Sequence, residues 1–324
     1  MKILFILKYG ASYGYCNADG GLYSSAKFVV DMLAQRGRAA KLVQVIDNND
    51  IDREVTSFRP DVVVIEALWV VPEKFDILAR LHPTVKWVIR VHSDFPFLSN
   101  EGIAMGWLFD YLKRPNVSVA FNKEVSVDEL QKLTDKHVLF LPNFYPSDQL
   151  PKIPSQPGTV NVGCFGAIRP LKNQLVQAMA AIEYAEERNK VCFFHINSSR
   201  CEGGGDEALK NIRALFANTK HQLLEHPWLS RANFLSVMQR MDVDLAVSFS
   251  ETFCIVAADA LACNVPIVVS DQIPWAKVGI VRDPTSVSSI VDSMSGLFMN
   301  RFLNWKGLQR YANESMKIWI KFTS

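Results

Sequence analysis

Short, nearly continuous apolar runs alternate along the chain with longer segments whose apolar residues recur every three or four positions. KILFILKYG, KLVQVI, DVVVIEAL, KWVIRVHSD, VSVAFN and HVLFLPNFY predict strands, with helices between them and the first helix running from about Gly21 to Gln35. Strands apolar on both faces and separated by helical periods belong to a parallel sheet covered on both sides. Right-handed crossovers then give a Rossmann-like domain. From Tyr145 to Thr159 the text YPSDQLPKIPSQPGT has four prolines, Gly158 and no apolar periodicity, which predicts an interdomain linker. The alternation restarts with VNVGCFGAI, VCFFHINSS, HQLLEHPW, DVDLAVSFS, PIVVSD and VGIVRD, a second parallel α/β domain that shares architecture with the first but no repeated sequence. The tail from Arg301 to Ser324 is helical in pattern, with Phe302, Trp305, Leu308, Tyr311, Met316 and Trp319 among basic residues. It reads either as an amphipathic helix packed on protein or as a membrane-surface helix.

Composition narrows the function classes. At 324 residues the chain is long enough for two domains, each with its own core. Hydrophobic residues at 49% and charged residues at 21% fit a soluble globular protein, and a net charge of +2 makes no global case for nucleic acid or membrane. The six cysteines (Cys16, Cys164, Cys192, Cys201, Cys254, Cys263) form no C-x-x-C pair, and reduced, mostly buried thiols are expected. No H-x-x-H or H-E-x-x-H occurs, so no metal site is expected. The apolar part of MKILFILKYG is too short for a signal peptide. The longest apolar run, Cys254 to Val269, is interrupted by Asp259 and Asn264 and is too short to span a bilayer. A cytoplasmic location is expected, with peripheral membrane contact left open by the tail.

Chemistry concentrates in SFSETFCIVAADALACNVPIVVSD, Ser248 to Asp271. Glu251 ends an apolar strand, a helix is expected from about Phe253, and Asp259 follows Glu251 by eight positions, a little over two helical turns, so that the two acids share one side. The helix start near Thr252, Phe253 and Cys254 offers backbone N–H groups and a positive dipole end to an anion. An anion site between two carboxylates suits a nucleotide-sugar, with phosphates in the middle and hydroxyls at both ends. The plainer alternative is a buried βαβ unit whose acids cap a helix or meet solvent.

The stretch resembles the E-x7-E segment of the family 4 retaining glycosyltransferases of the GT-B fold, through Ser248, Glu251, Phe253, Asp259, Ala262, Pro266, Ile267 and Val268. It departs from that pattern at Cys254 and Asn264, where the family has Gly, and at Asp259, where it has Glu. GCFGAIRPLKNQ resembles the family's G-R-L-x-x-x-K-G: Gly166 and Lys172 match, Ala167 stands at the Arg position, and Arg169 lies two residues on. The resemblance implies two Rossmann-like parallel-sheet domains facing across a cleft. It extends them over residues 1–148, completed by the C-terminal helix 303–324, and 149–302. It also implies that Lys172, with Arg169, neutralises the leaving diphosphate, that Glu251 holds sugar hydroxyls and that Asp259 holds the ribose. Gly20 and Gly21, before the first long helix, match a family GG where backbone approaches phosphate or sugar. The neighbouring Tyr13, Tyr15, Asn17 and Asp19 are acceptor-side candidates. His92, ending KWVIRVHSD, matches a histidine that reaches donor sugar or acceptor, while Asn143 shapes the hinge and Glu66 has no family role.

The expected activity is metal-independent, retaining transfer of a sugar from a nucleoside-diphosphate-sugar, with no cofactor, to an unidentified hydroxyl acceptor. That acceptor is a lipid, glycan, small molecule or hydroxymethylated DNA base, with DNA backbone or an anionic membrane as alternative surroundings and no obligate protein partner. Replacing Lys172 or Glu251 with Ala is expected to abolish transfer and leave folding intact. A GT-B sugar-nucleotide epimerase and a catalytically degenerate binding or scaffold protein are the competing classes. Asp242-Val243-Asp244 spells D-x-D but sits at the wrong end of its strand for a metal site, and CEGGGDE (Cys201 to Glu207) reads as a mobile loop over the cleft.

Overall fold

The structure is a computed structural model and describes residues 1–9, 20–297 and 299–324. The chain divides into two compact units, Met1–Pro146 with Tyr311–Ser324, and Ser147–Arg310.

The first unit runs β1 (Lys2–Lys8), α1 (Gly21–Gln35), β2 (Ala39–Val45), α2 (Asp50–Phe58), β3 (Val62–Glu66), α3 (Lys74–Leu81), β4 (Lys86–Val91), α4 (Phe95–Leu98), α5 (Ala104–Leu112), β5 (Val117–Phe121), α6 (Glu124–Thr134) and β6 (Leu139–Phe140). Among the described residues its strands form one parallel sheet in the order β2-β1-β3-β4-β5-β6. The five central residues of β1 are buried between the lysines at its ends. Side chains alternate across the sheet: Ile3, Phe5, Val62 and Val64 join one core with α1, while Leu4, Ile6, Val63 and Ile65 join the other with α2, α3 and α5. Helix α1 buries Ala26, Val29, Val30 and Leu33, one stripe at helical spacing. Gly37, at φ 73°, stops it, its N–H and that of Arg38 donating back to Ala34 and Leu33. HVLFLPNFY yields only the two-residue β6, because Pro142 cannot donate to a ladder.

The second unit continues with β7 (Thr159–Gly163), α7 (Gln174–Glu186), β8 (Val191–Asn197), α8 (Gly205–Ala217), β9 (Gln222–His226), α9 (Arg231–Met238), β10 (Val243–Ala246), α10 (Ile255–Ala262), β11 (Ile267–Ser270), β12 (Ile280–Val281), α11 (Val287–Ser295) and α12 (Asn300–Phe322), whose last turns belong to the first unit. This sheet is also parallel, ordered β12-β11-β10-β7-β8-β9. Val243, Leu245 and Val247 enter the core shared with α7, α8 and α11, which turns Asp244 to the opposite face.

The proline-rich stretch is not a loose tether. Leu150 N–H donates to Ala262 O (2.6 Å), Ile153 N–H to Gln239 O (2.8 Å), and Asp242 accepts from Lys152 and Ser155. Extended backbone left unpaired by prolines finds its partners along the second unit. The unit boundaries accordingly fall at Pro146/Ser147 and Arg310/Tyr311, against the expected 148/149 and 302/303.

Helix α12 is anchored twice. Asn300 and Asn304, one turn apart and both buried, bond the backbone of Ile267, Lys277 and Val278. In the first unit, Trp319 is fully buried, packs on Phe5 at 5.6 Å and donates from Nε1 to Pro142 O (2.8 Å). Phe302 of the expected stripe is exposed instead, as is its neighbour Leu303. Among the described residues no helix is long and apolar enough to cross a membrane.

Candidate functional site

In the second unit Lys172 ends the 3₁₀ turn Pro170–Lys172 after β7, and Glu251 lies in the turn after β10, both beyond the C-terminal ends of neighbouring strands. That edge is where open α/β sheets bind ligands. The Lys172 ammonium donates to Glu251 Oε1, and Ser248 Oγ donates to the same oxygen (3.3 Å). The two side chains are only 13% and 9% exposed. Burial alone would depress the lysine, but the adjacent Glu251 carboxylate, with Cys254, leaves Lys172 above its ordinary pKa.

Polar residues at the start of α7 fix this pair. Gln177 takes Lys172 O with its amide nitrogen (2.7 Å) and Val247 N–H with its oxygen (2.8 Å). Asn173 donates to Val247 O (3.1 Å), Gln174 to Ala167 O (2.9 Å), and Phe249 N–H reaches Leu171 O (2.9 Å). These bonds tie the lysine turn to the glutamate turn. Gly166, at φ 109°, lies over the Lys172 stem, where a Cβ would come within 3.8 Å of Lys172 Cε. Asn173, the N-cap of α7, and Gln174 and Gln177 in its first turns carried no signal in the sequence that set them apart.

Two expectations need correction. Helix α10 starts at Ile255, not Phe253, with Cys254 in the left-handed region at φ 59° as its N-cap. Glu251 therefore stands outside the helix, and the two acids do not share one helix face. Asp259 meets Arg231 of α9, whose Nη2 and Nη1 reach its two oxygens at 2.6 and 3.1 Å. Phe253 is a core residue: its ring packs on Trp275 at 6.0 Å and its carbonyl accepts from Trp275 Nε1 (2.7 Å). Thr252 and Cys254 flank it, both nearly buried.

The Arg169 guanidinium donates to Glu202 (3.2 Å), which also pairs with Arg200, and its charge lies close enough to Lys172 to oppose the lysine's own. Glu202 belongs to the glycine-rich stretch, which is pinned rather than loose. Ile168 N–H donates to Arg200 O and Glu202 N–H to Ile168 O, and a Cβ on Gly205 would strike Ile168 O. The D-x-D acids are structural: Asp242 holds the 150s stretch, and Asp244 is fully buried with no hydrogen-bond partner at either oxygen among the described residues. Burial, reinforced by Asp259, pushes Asp244 well above the usual carboxyl range. His195, within β8, and His226, ending β9, stack at 5.2 Å, and burial with the second ring pushes His195 down to about 4.

In the first unit His92 follows β4 directly, and its Nε2 contacts Glu66 Oε2 at the end of β3. Glu66 and Arg90 are both fully buried. Arg90 Nη1 donates to both Glu66 oxygens (3.1 and 3.3 Å), Nε to Leu141 O (2.9 Å), and Nη2 to Pro142 O (3.0 Å) and Asn143 Oδ1 (2.6 Å), with the Trp319 ring 5.2 Å from its guanidinium. Burial would raise the Glu66 carboxyl, yet Arg90 and His92 hold it below its ordinary value. Burial, only partly offset by Glu66, lowers His92. Gly20 is the N-cap of α1, in extended geometry open to any residue, and Gly21 is its first residue. Tyr13, Tyr15, Asn17, Asp19 and Cys16 lie outside the described residues.

Two Rossmann-like units built on six-stranded parallel sheets define the GT-B architecture. The sequence model of the family "Glycosyl transferases group 1" matches residues 149–294, most of the second unit. Solved structures agree on the fold. HepE of Anabaena, in complex with UDP and glucose, superposes with a TM-score of 0.62 at 13% identity over 99% of this chain and 98% of that one. Sucrose-phosphate synthase of Thermosynechococcus elongatus gives 0.68 at 13% identity, covering 99% and 97%. A TarM variant of S. aureus, bound to fondaparinux, alpha-GlcNAc-glycerol and UDP, gives 0.60 at 14% identity over 81% of this chain, which spans 55% of TarM's length. No protein of curated function matches the chain by sequence.

Proposed function

We propose that the protein is a retaining glycosyltransferase that moves a sugar from a nucleoside-diphosphate-sugar to a hydroxyl acceptor. The observation that carries this reading is the Lys172–Glu251 pair, nearly buried at the C-terminal edge of the second sheet and held by Asn173, Gln174 and Gln177, within the segment that matches the group 1 family. As the glycosidic bond breaks, negative charge grows on the leaving diphosphate. A desolvated ammonium and the N–H groups opening α10 stabilise that charge without reorganising. Arg169 adds a second cation once the diphosphate competes with Glu202 for it, and Glu251 exchanges its lysine contact for sugar hydroxyls. Asp259 reaches the ribose together with its partner Arg231. A phosphate oxygen takes the acceptor's proton on the face the diphosphate leaves. HepE and TarM, crystallised with UDP, make UDP-sugars the first donors to try.

The test is a panel of nucleotide-sugars screened by thermal shift, followed by acceptor-free hydrolysis of each donor that raises the melting point. Turnover that disappears in Lys172→Met at a temperature where its melting curve shows the variant folded supports transfer; a panel that neither binds nor turns over refutes it. The Arg231–Asp259 pair favours a second reading, a nucleotide-sugar-binding protein without catalysis, which binding with no hydrolysis would select.

A further inference from the structure

Asp242 and the two histidines of the second unit belong to one hydrogen-bonded chain, Asp242–Ser155–Asn161–His195–His226, which runs from the start of β10 through β7 and β8 to the last residue of β9. The direction of every bond in it is set from the Asp242 end. The Asp242 carboxylate only accepts, and the Lys152 ammonium, Asn161 N–H (2.9 Å) and Ser155 O–H (2.7 Å) converge on it. Ser155 has one proton, and the other group it reaches, Arg240 O at 3.4 Å, is also an acceptor. With that proton spent, Ser155 Oγ accepts from the Asn161 amide nitrogen (3.0 Å). Asn161 therefore turns its carbonyl oxygen to His195 Nε2 (3.1 Å), which must carry a hydrogen. Burial keeps the His195 ring neutral down to about pH 4, so its Nδ1 is a lone pair and takes the hydrogen of His226 Nε2 (2.9 Å). Burial lowers His226 as well, and a neutral ring with its hydrogen on Nε2 has its lone pair on Nδ1. Among the described residues that Nδ1 meets no donor, and the half-buried ring does not seal it from solvent. It is an acceptor whose polarity is fixed by the four residues behind it.

This acceptor lies along the same sheet edge as the anion site. Gly166, over the Lys172 stem, donates its N–H to Asn197 Oδ1 (3.1 Å). Asn197 ends β8, pairs in register with His226, and donates to Pro227 O (3.3 Å). The strand that leads to Lys172, β7, and the strand that ends in His226, β9, are two strand spacings apart, about 10 Å. A nucleoside whose diphosphate rests at Lys172 covers that span with its ribose and base. Arg231, which holds Asp259, opens the next helix after His226.

We propose that His226 Nδ1 reads the nucleotide base. It accepts the ring N–H of a lactam base, uracil or guanine, and turns away cytosine and adenine, whose corresponding ring nitrogen is itself an acceptor. His226 is then a specificity-determining residue, and Asp242, Ser155, Asn161 and His195 are positioning residues that hold its tautomer. The inference rests on the reading that the second unit holds a nucleoside diphosphate, and not on catalysis.

The experiment is calorimetric titration of the full-length protein with UDP, CDP, GDP and ADP near neutral pH. Long-range ¹H–¹⁵N NMR of the histidine rings accompanies it, with His226 assigned by its loss in His226→Asn. Expected are an Nε2–H tautomer at His226 and, within the ring size that binds more tightly, a lactam base ahead of its amino counterpart by about 10- to 100-fold, because the wrong base sets two lone pairs face to face. His226→Asn places a rotatable amide where Nδ1 stood, which offers oxygen to one base and nitrogen to the other. The ratio should fall to within a few-fold while the favoured diphosphate still binds. Asn161→Leu should do the same from a distance, with Nδ1–H appearing at His226, a change that loss of packing alone would not produce. An Nδ1–H tautomer in the wild type overturns the inference with no variant needed, and so do CDP and ADP that bind as tightly as UDP and GDP; both results leave nucleotide binding standing. An unchanged base ratio in a folded His226→Asn overturns it too. A protein that binds none of the four diphosphates defeats this inference and the transferase reading together.

Discussion

Lys172→Met is the most informative perturbation, because the structure changes what it should do. The two side chains of the Lys172–Glu251 pair are 13% and 9% exposed, so methionine removes the charge at nearly constant volume and strands a carboxylate whose other described donor is Ser248 at 3.3 Å. Breaking a buried pair from one side costs about 3–5 kcal/mol, whereas removing both charges is often close to neutral. The single change is therefore expected to weaken folding, where the sequence alone led to the expectation that replacement by Ala leaves it intact. Lys172→Met/Glu251→Gln should recover most of the loss, a coupling of about 2–3 kcal/mol. The assay is urea unfolding read by amide exchange in peptides of α7 and β10, which reports on the second unit alone. At about 1–3 kcal/mol per molar urea, a loss of about 3 kcal/mol moves the midpoint down by about 1–3 M. UDP should raise the wild-type midpoint and leave that of the double variant unmoved. A single variant that unfolds with the wild type, or a double variant whose loss is the plain sum of the two singles, would refute the buried-pair account and the anion site built on it.

Three further outcomes are expected. Asp244 is raised by burial, so the native state holds a proton that the unfolded chain releases above about pH 4. Its contribution is complete below that pH and falls by about 1.4 kcal/mol per unit as pH rises, until the native carboxyl ionises. Asp244→Asn should flatten this slope and be the more stable form at pH 7; an unchanged slope across pH 5–8 rules it out. His195 works in the opposite direction: with a native pKa of about 4, it costs the second unit about 3 kcal/mol as pH drops from 6.5 to 4. His195→Asn should remove that part of the acid sensitivity, measured as the wild-type-minus-variant difference in melting between those pH values. Trp319→Ala should destabilise the first unit by about 3–5 kcal/mol, because it empties a site against Phe5 and leaves Pro142 O without its indole donor. Exchange in β1 peptides as slow as in the wild type would contradict it.

The order of strands and helices was written in the chain, because it depends on local periodicity: KILFILK can bury both faces only inside a parallel sheet, and Ala26, Val29, Val30 and Leu33 form a stripe only on a helix. Lys172, Glu251 and His92 were legible for a related reason, since strand-end positions follow from where an apolar run stops. What each of them touches was not. Partners such as Arg231 for Asp259, Glu202 for Arg169, and Arg90 for Glu66 lie 28, 33 and 24 positions away in sequence, and no periodicity connects them. The helix start moved from Phe253 to Ile255 because Trp275, twenty-two residues on, claims the Phe253 carbonyl and ring. Sequence fixes which residues reach the edge of a sheet, through short-range sterics and burial. Only the folded chain decides which charges meet there, because a carboxylate removed from water takes whichever cation the packing brings within reach.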